Sequence, residues 1–154
     1  MILTAWRIVK AKHARDAFTG RGAWQCGGRW NSPHTHMVYL SSTAALAQLE
    51  MLAHLQSQQL LASYVLCQAQ FDDGLVIRVK PSGLPKNWRT YPAPPELQRI
   101  GDEWVRKMQS AVLEVPSALS PEDCNYLINP LHKHFAKITT GQFRPLTFDP
   151  RLAK

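Results

Sequence analysis

Acidic residues are scarce in the first half of this 154-residue chain. Residues 1–49 carry Asp16 alone, and between positions 17 and 71 the one carboxylate is Glu50. Long apolar runs are missing as well: none reaches the ~18 residues that a membrane-spanning helix needs, which excludes such a helix. The opening Met1-Ile2-Leu3-Thr4-Ala5-Trp6-Arg7 lacks a charged start, apolar run and small-residue cleavage site, so no secretory signal is expected. Cysteine is limited to Cys26, Cys67 and Cys124, an odd and widely spaced set that fits neither a disulfide scaffold nor a zinc site. The expectation is a soluble cytoplasmic chain with reduced thiols, and buried structural roles are expected for Cys26 and Cys124. Repeats, Walker loops, dinucleotide-binding glycine fingerprints and nucleophile elbows are all absent. His34-Thr35-His36 and His132-Lys133-His134 lack a nearby third ligand, so no metal is expected.

The rest is an ordinary globular composition with a basic excess. Apolar residues make up 45% of the chain and charged ones 19%, enough to bury one core and too uncharged for a disordered chain. The net charge is +7, and Arg7, Lys10, Lys12, Arg15, Arg21 and Arg29 crowd the first forty-nine residues. Such an excess implies an anionic partner. Nucleic acid would satisfy that charge, although the cations are scattered and no helix-turn-helix, zinc-finger or aromatic RNA-binding signature accompanies them.

Apolar, β-branched residues 2–9 read as a first strand, and residues 37–40 as a short buried one. Gly20-Arg21-Gly22 and Gly27-Gly28 bracket a flexible region. Ser41-Ser42-Thr43 offers N-cap hydroxyls to the clearest helix, residues 44–56, with Ala45, Leu46, Leu49, Leu52 and Ala53 as its buried stripe and Glu50 at the edge. Residues 63–71 and 74–79 read as two strands joined by a hairpin-type turn at Asp72-Asp73-Gly74. Residues 81–95 are a proline-rich loop. Pro95 then opens a helix striped by Leu97, Ile100, Trp104 and Met108. Residues 111–115 read as a strand. Ser120-Pro121-Glu122-Asp123 reads as the start of a short helix to about Leu127, and residues 135–138 as a last strand. Short strands mixed with two or three helices make an α+β fold. Glu50 itself has two readings: a solvated helix carboxylate, or one placed among anion-binding arginines to act on a substrate.

Several segments share one resemblance. Gly27-Gly28-Arg29-Trp30-Asn31-Ser32-Pro33, Val38-Tyr39-Leu40 and Ala44-Ala45-Leu46-Ala47-Gln48-Leu49-Glu50 resemble the RES-domain family of bacterial toxins. The opening Ala5-Trp6-Arg7-Ile8, the downstream Val115-Pro116-Ser117 and residues 125–132 extend the likeness over nearly the whole chain. The resemblance implies a single domain over residues 1–154 with an ADP-ribosyltransferase-like fold, a split mixed β-sheet with helices around a cleft for NAD. It implies the toxin of a type II toxin–antitoxin pair that depletes NAD by cleaving the nicotinamide–ribose bond, with water or phosphate as acceptor. Transfer of ADP-ribose to a protein is the alternative. NAD would be the substrate, with no separate cofactor. The partner would be an Xre-type antitoxin whose helix-turn-helix makes the DNA contacts.

The resemblance also distributes roles. Arg29 would hold the pyrophosphate or the adjacent ribose through its bidentate fork, with Arg7 as a second anchor. Tyr39 would offer an aromatic face to nicotinamide, Glu50 would hold ribose hydroxyls and stabilise the developing cation, and Ser117 would hydrogen-bond nicotinamide or ribose. His34 and His36 stand in a turn that would accept small residues or glycine more easily.

Overall fold

The computed structural model describes residues 1–153. Its framework is one mixed sheet of seven strands: β1 (Ile2–Lys10), β2 (Val38–Ser41), β3 (Tyr64–Asp72), β4 (Val76–Arg78), β5 (Val112–Pro116), β6 (Cys124–Ile128) and β7 (Thr139–Leu146). The spatial order is β4-β5-β6-β2-β1-β3-β7, and β4–β5 is the parallel pair. β1 and β3 pair over nine residues, from Ile2↔Asp72 to Lys10↔Tyr64, whereas β1 and β2 meet at one pair, Trp6↔Ser41. The sheet is therefore split into two halves along the β1/β2 seam.

The halves curl toward each other. β3 and β4 stand five positions apart in the order, about 24 Å on a flat sheet. Only residues 73–75 connect them, and four residue steps reach ~14 Å at most. The contact between Phe71 on β3 and Tyr126 on β6, ring centroids 5.3 Å apart and edge to face, closes the same curl. Inside it lies a core of Ala5, Val38, Leu40, Ala69, Phe71, Val112, Tyr126 and Ile128. Leu113, Val115 and Leu127, on the opposite face, pack under the helix α3 (Pro95–Arg106) with Trp30, Met37, Leu97 and Trp104. A third cluster, including Ile8, Ala47, Tyr64 and Phe148, seats the helix α2 (Ala44–Leu52). No helix among the described residues is long and apolar enough to cross a membrane.

The α+β class and the split mixed sheet agree with expectation, and several local readings are corrected. The segment between the glycine pairs contains a short helix, α1 (Arg21–Cys26). The turn at Asp72-Asp73-Gly74 forms, with Asp72 accepting from the Gly74 N–H at 2.8 Å, but it sends the chain to the far edge of the sheet instead of closing a hairpin. Residues 124–128 are the strand β6, not a helix, because Cys-Asn-Tyr-Leu-Ile finds ladder partners on both sides, in β5 and β2. The last strand begins at Thr139, after a 3₁₀ turn over Phe135–Lys137. α3 starts at Pro95 as expected, but ends at Arg106, leaving Met108 outside it, 47% exposed and left-handed at φ 50°. Cys26 is exposed; Cys67 is the buried thiol and Cys124 is half-buried.

Candidate active site

α2 is capped by Thr43, whose hydroxyl accepts from the Leu46 N–H at 3.0 Å. Its inward phase differs from the expected stripe. Leu46 and Ala47 are buried while Ala45 is exposed and Leu49 is 43% exposed. Glu50 lies about 40° round from Leu46, so it is among the inward residues and not at their edge. A helix that turns leucine outward and a carboxylate inward is organised around something other than its core.

That carboxylate is held. Glu50 Oε1 accepts from Ser117 Oγ and from Asn125 Nδ2, both at 2.8 Å. Ser117 sits past the end of β5, in the connection to β6, fully buried. Its oxygen accepts from the Leu119 and Ser120 N–H groups at 3.2 and 3.1 Å, so its own proton is left for Glu50. Glu50 Oε2 has no hydrogen-bond partner among the described residues. One oxygen is fixed, and the other is unpaired and open to solvent.

Arg29 stands in a turn that α3 builds. Gln98 donates to the carbonyls of Gly28 and Asn31, both at 3.1 Å, and the Asp102 carboxylate accepts from the Ser32 N–H at 2.9 Å. Gly101 lets the α3 backbone reach this turn, since a Cβ there would lie 1.7 Å from the Trp30 carbonyl oxygen. Tyr39 holds it from beneath. Its hydroxyl donates to Asn31 Oδ1 at 2.6 Å and accepts from the Trp30 N–H at 3.0 Å. A Cβ on Gly28 would lie 2.7 Å from that hydroxyl oxygen, so glycine is what the turn requires. Burial pushes the Tyr39 phenol well above its ordinary range and keeps it a neutral donor.

Arg29 Nη1 donates to the Trp88 and Thr90 carbonyls at 2.9 and 3.1 Å. Burial lowers the pKa of its guanidinium, and the nearby Glu50 charge, then Tyr39 and Tyr91, oppose that. The five ion pairs among the described residues include neither Arg29 nor Glu50. The two charges thus sense one another without forming an ion pair. Arg7, on β1, donates from Nε to the Ala17 carbonyl at 2.8 Å and from Nη1 to the Tyr39 carbonyl at 2.9 Å, and burial lowers its pKa as well. Among the described residues no group of three His, Cys, Asp or Glu could hold a metal ion.

The sequence matches the RES domain over residues 4–149. The chain belongs to the RES-domain family. A relative from Yersinia enterocolitica serotype O:8, named Toxin Res, is 40% identical over 149 residues, covering 96% of this chain and 97% of the relative. A protein of Sphingobium sp. strain YBL2 named Prs ADP-ribosylating toxin is 33% identical and covers 100% and 99% of the two chains. Among solved structures, the crystal structure of the M. tuberculosis MbcT–MbcA toxin–antitoxin complex contains a chain of similar fold. Its TM-score is 0.80 at 23% identity, over 99% of this chain and 87% of that one.

In this RES domain the residues expected from the sequence fall into two linked groups. Glu50 and Ser117 touch directly. Arg29, Tyr39 and Arg7 form a chain through the Trp30–Asn31 turn and the β2 backbone. The geometry gives Tyr39 and Ser117 identifiable partners within the protein: the Arg29 turn for one, Glu50 for the other. Residues not anticipated as site components include Asn31, Gln98, Asp102, Asn125 and Ser41. A visible signal existed for Asn125 alone, an amide set inside the apolar strand Cys-Asn-Tyr-Leu-Ile. The difficult turn before β2 is real: His34 is left-handed at φ 76°, packed edge-on to Trp24 with centroids 4.9 Å apart.

Proposed function

We propose that this RES-domain chain is the toxin of a toxin–antitoxin pair in the cytoplasm and that its cleft consumes NAD by breaking the nicotinamide–ribose bond. The observation that carries the reading is the state of Glu50: one oxygen secured by two donors, the other unpaired, with the Arg29 guanidinium, held on two carbonyls and in no ion pair, close enough to feel its charge. Breaking this bond sends the electron pair to the ring nitrogen, so nicotinamide leaves neutral and the ribose carbon becomes cationic. Glu50 Oε2 supplies negative charge beside that carbon and accepts from ribose hydroxyls. Because the interaction strengthens as the cation forms, it lowers the barrier rather than merely binding substrate. Arg29, and Arg7 behind it, supply N–H donors for pyrophosphate oxygens. Water attacking the cation gives ADP-ribose and releases a proton; phosphate gives ADP-ribose phosphate. The +7 charge suits a dinucleotide, and the antitoxin, of the Xre helix-turn-helix type, would account for DNA contact.

A second reading has its own support. The Sphingobium relative named an ADP-ribosylating toxin favours a protein side chain as acceptor in the same cleft. Incubating the purified chain with NAD, with and without phosphate, and separating the products decides between these acceptors. Free ADP-ribose or its phosphate is the expected result; label retained on a protein supports transfer. Glu50→Ala and Arg29→Ala are each expected to slow NAD loss by roughly 10²–10³ while remaining folded and non-toxic on expression. Full toxicity of both well-expressed variants would refute the assignment.

A further inference from the structure

Around Glu50, side chains from two strands and a loop form one directional chain. Asn125 on β6 is paired in register with Ser41 on β2. Its Nδ2 donates to Glu50 Oε1 at 2.8 Å, and its Oδ1 accepts from Ser41 Oγ at 2.8 Å. The order cannot be reversed. An ionised carboxylate only accepts, so the amide must turn its NH₂ toward Glu50 and its oxygen away, and Ser41 must then donate. Ser41 is itself buried, 4% exposed, and Ser117 is directed toward the same Oε1 from the other side. No buried side-chain nitrogen or oxygen lacks a partner among the described residues. Nothing in the chain is left to rearrange.

We infer that Asn125, oriented by Ser41, is a positioning residue for NAD cleavage: it locks Glu50 through Oε1 and so makes Oε2 the oxygen that acts on the ribose. The inference rests on the NAD-cleaving reading and assigns what that reading leaves open, which carboxylate oxygen works and what holds it in register. A floppy carboxylate could place either oxygen near the ribose, or neither, and the loss would fall on the bond-breaking step more than on binding. Asn125 does not touch the substrate in this scheme.

The test uses NAD-consumption kinetics on the full-length chain carrying Asn125→Asp, which keeps the shape but puts a like charge where the donor was. The expected result is a kcat lowered by roughly 10², with KM changed by less than about twofold. A purely structural asparagine would lower the melting temperature and leave the kcat of the folded fraction in place. Ser41→Ala is the milder companion and decides the matter if Asn125→Asp does not fold; a several-fold loss of kcat with unchanged KM is expected. Wild-type NAD cleavage combined with wild-type kcat in every folded variant overturns the positioning role alone. A wild-type chain that does not consume NAD overturns the role together with the reading beneath it.

Discussion

Replacing Tyr39 by phenylalanine removes one oxygen atom and tests how the Arg29 turn is held. That oxygen accepts from the Trp30 N–H at 3.0 Å and donates to Asn31 Oδ1 at 2.6 Å. Asn31 is fully buried and Trp30 is 2% exposed, so water does not readily replace either bond. Leaving a buried donor or acceptor unsatisfied costs about 1–3 kcal/mol each. The Asn31 Nδ2 bonds to the Ala23, Ser32 and Thr35 carbonyls are untouched, so the loss is confined to the Trp30 N–H and the Asn31 Oδ1. The expectation is a loss of about 2–6 kcal/mol, or a melting temperature lower by roughly 4–24 °C in a domain of this size. Arg29 loses its support in the same stroke, and a displacement of even ~1 Å of a substrate-binding group slows turnover by up to about 10²-fold. Differential scanning calorimetry and NAD-consumption kinetics read the two effects on one sample. The ring face survives in phenylalanine, so a Tyr39 whose role is to stack on nicotinamide would retain kcat. Tyr39→Phe with wild-type melting temperature and wild-type kcat refutes the buttress reasoning.

Gly101→Ala is expected to be among the most damaging single methyl additions, because the new Cβ would meet the Trp30 carbonyl oxygen at 1.7 Å and drive α3 off the Arg29 turn. Destabilisation of at least the ~1–3 kcal/mol typical of overpacking is expected by chemical denaturation; an unchanged midpoint contradicts the close approach. The thiols should separate cleanly under a thiol reagent at mildly alkaline pH. Cys26 is exposed and should react first. Cys67 is buried, and burial pushes its thiol up to about 11, so its thiolate stays scarce until the solution is far more alkaline and its labelling should await unfolding. Rapid labelling of Cys67 in the native chain counts against its buried placement on β3.

Legibility tracked the range of the interactions that decide each element. β1, β2, β3 and β5 are each mostly apolar over their own lengths, and their positions are readable without knowing their partners. Pro95 marks the start of α3 by a local rule and does so in the structure. The Asp72-Asp73-Gly74 signal is equally local and equally genuine, but a turn sets backbone angles over a few residues and does not determine which edge the next strand will join. The helix start read at residues 120–123 closes only a turn, with Ser120 Oγ donating to Asp123 Oδ2 at 2.7 Å. The fate of residues 124–128, however, is settled by two flanking strands, one of them far away in sequence. For the candidate site, charge isolated Glu50, and the resemblance singled out Arg29, Tyr39, Arg7 and Ser117. The helix phase was misread because Leu49 looks like core and Glu50 like surface, and a site inverts both preferences. Ser41 escaped because a hydroxyl acquires meaning only from the atom opposite it, and the amide of Asn125, conspicuous in an apolar strand, does not by itself say which carboxylate it meets.

The seam between the two half-sheets has a mechanical consequence. Across it the strands share a single residue pair, Trp6↔Ser41, and close by the Arg7 guanidinium on β1 reaches over to the Tyr39 carbonyl on β2, where a backbone ladder would ordinarily supply the bond. The halves are therefore stitched by a side chain. A backbone ladder parts only by unfolding, but a guanidinium can exchange a carbonyl for a phosphate oxygen at little cost in conformation. The strand that carries both Tyr39 and Ser41 is thus tied to β1 by one backbone pair and one guanidinium, so a single side chain bears on how firmly the two half-sheets are held.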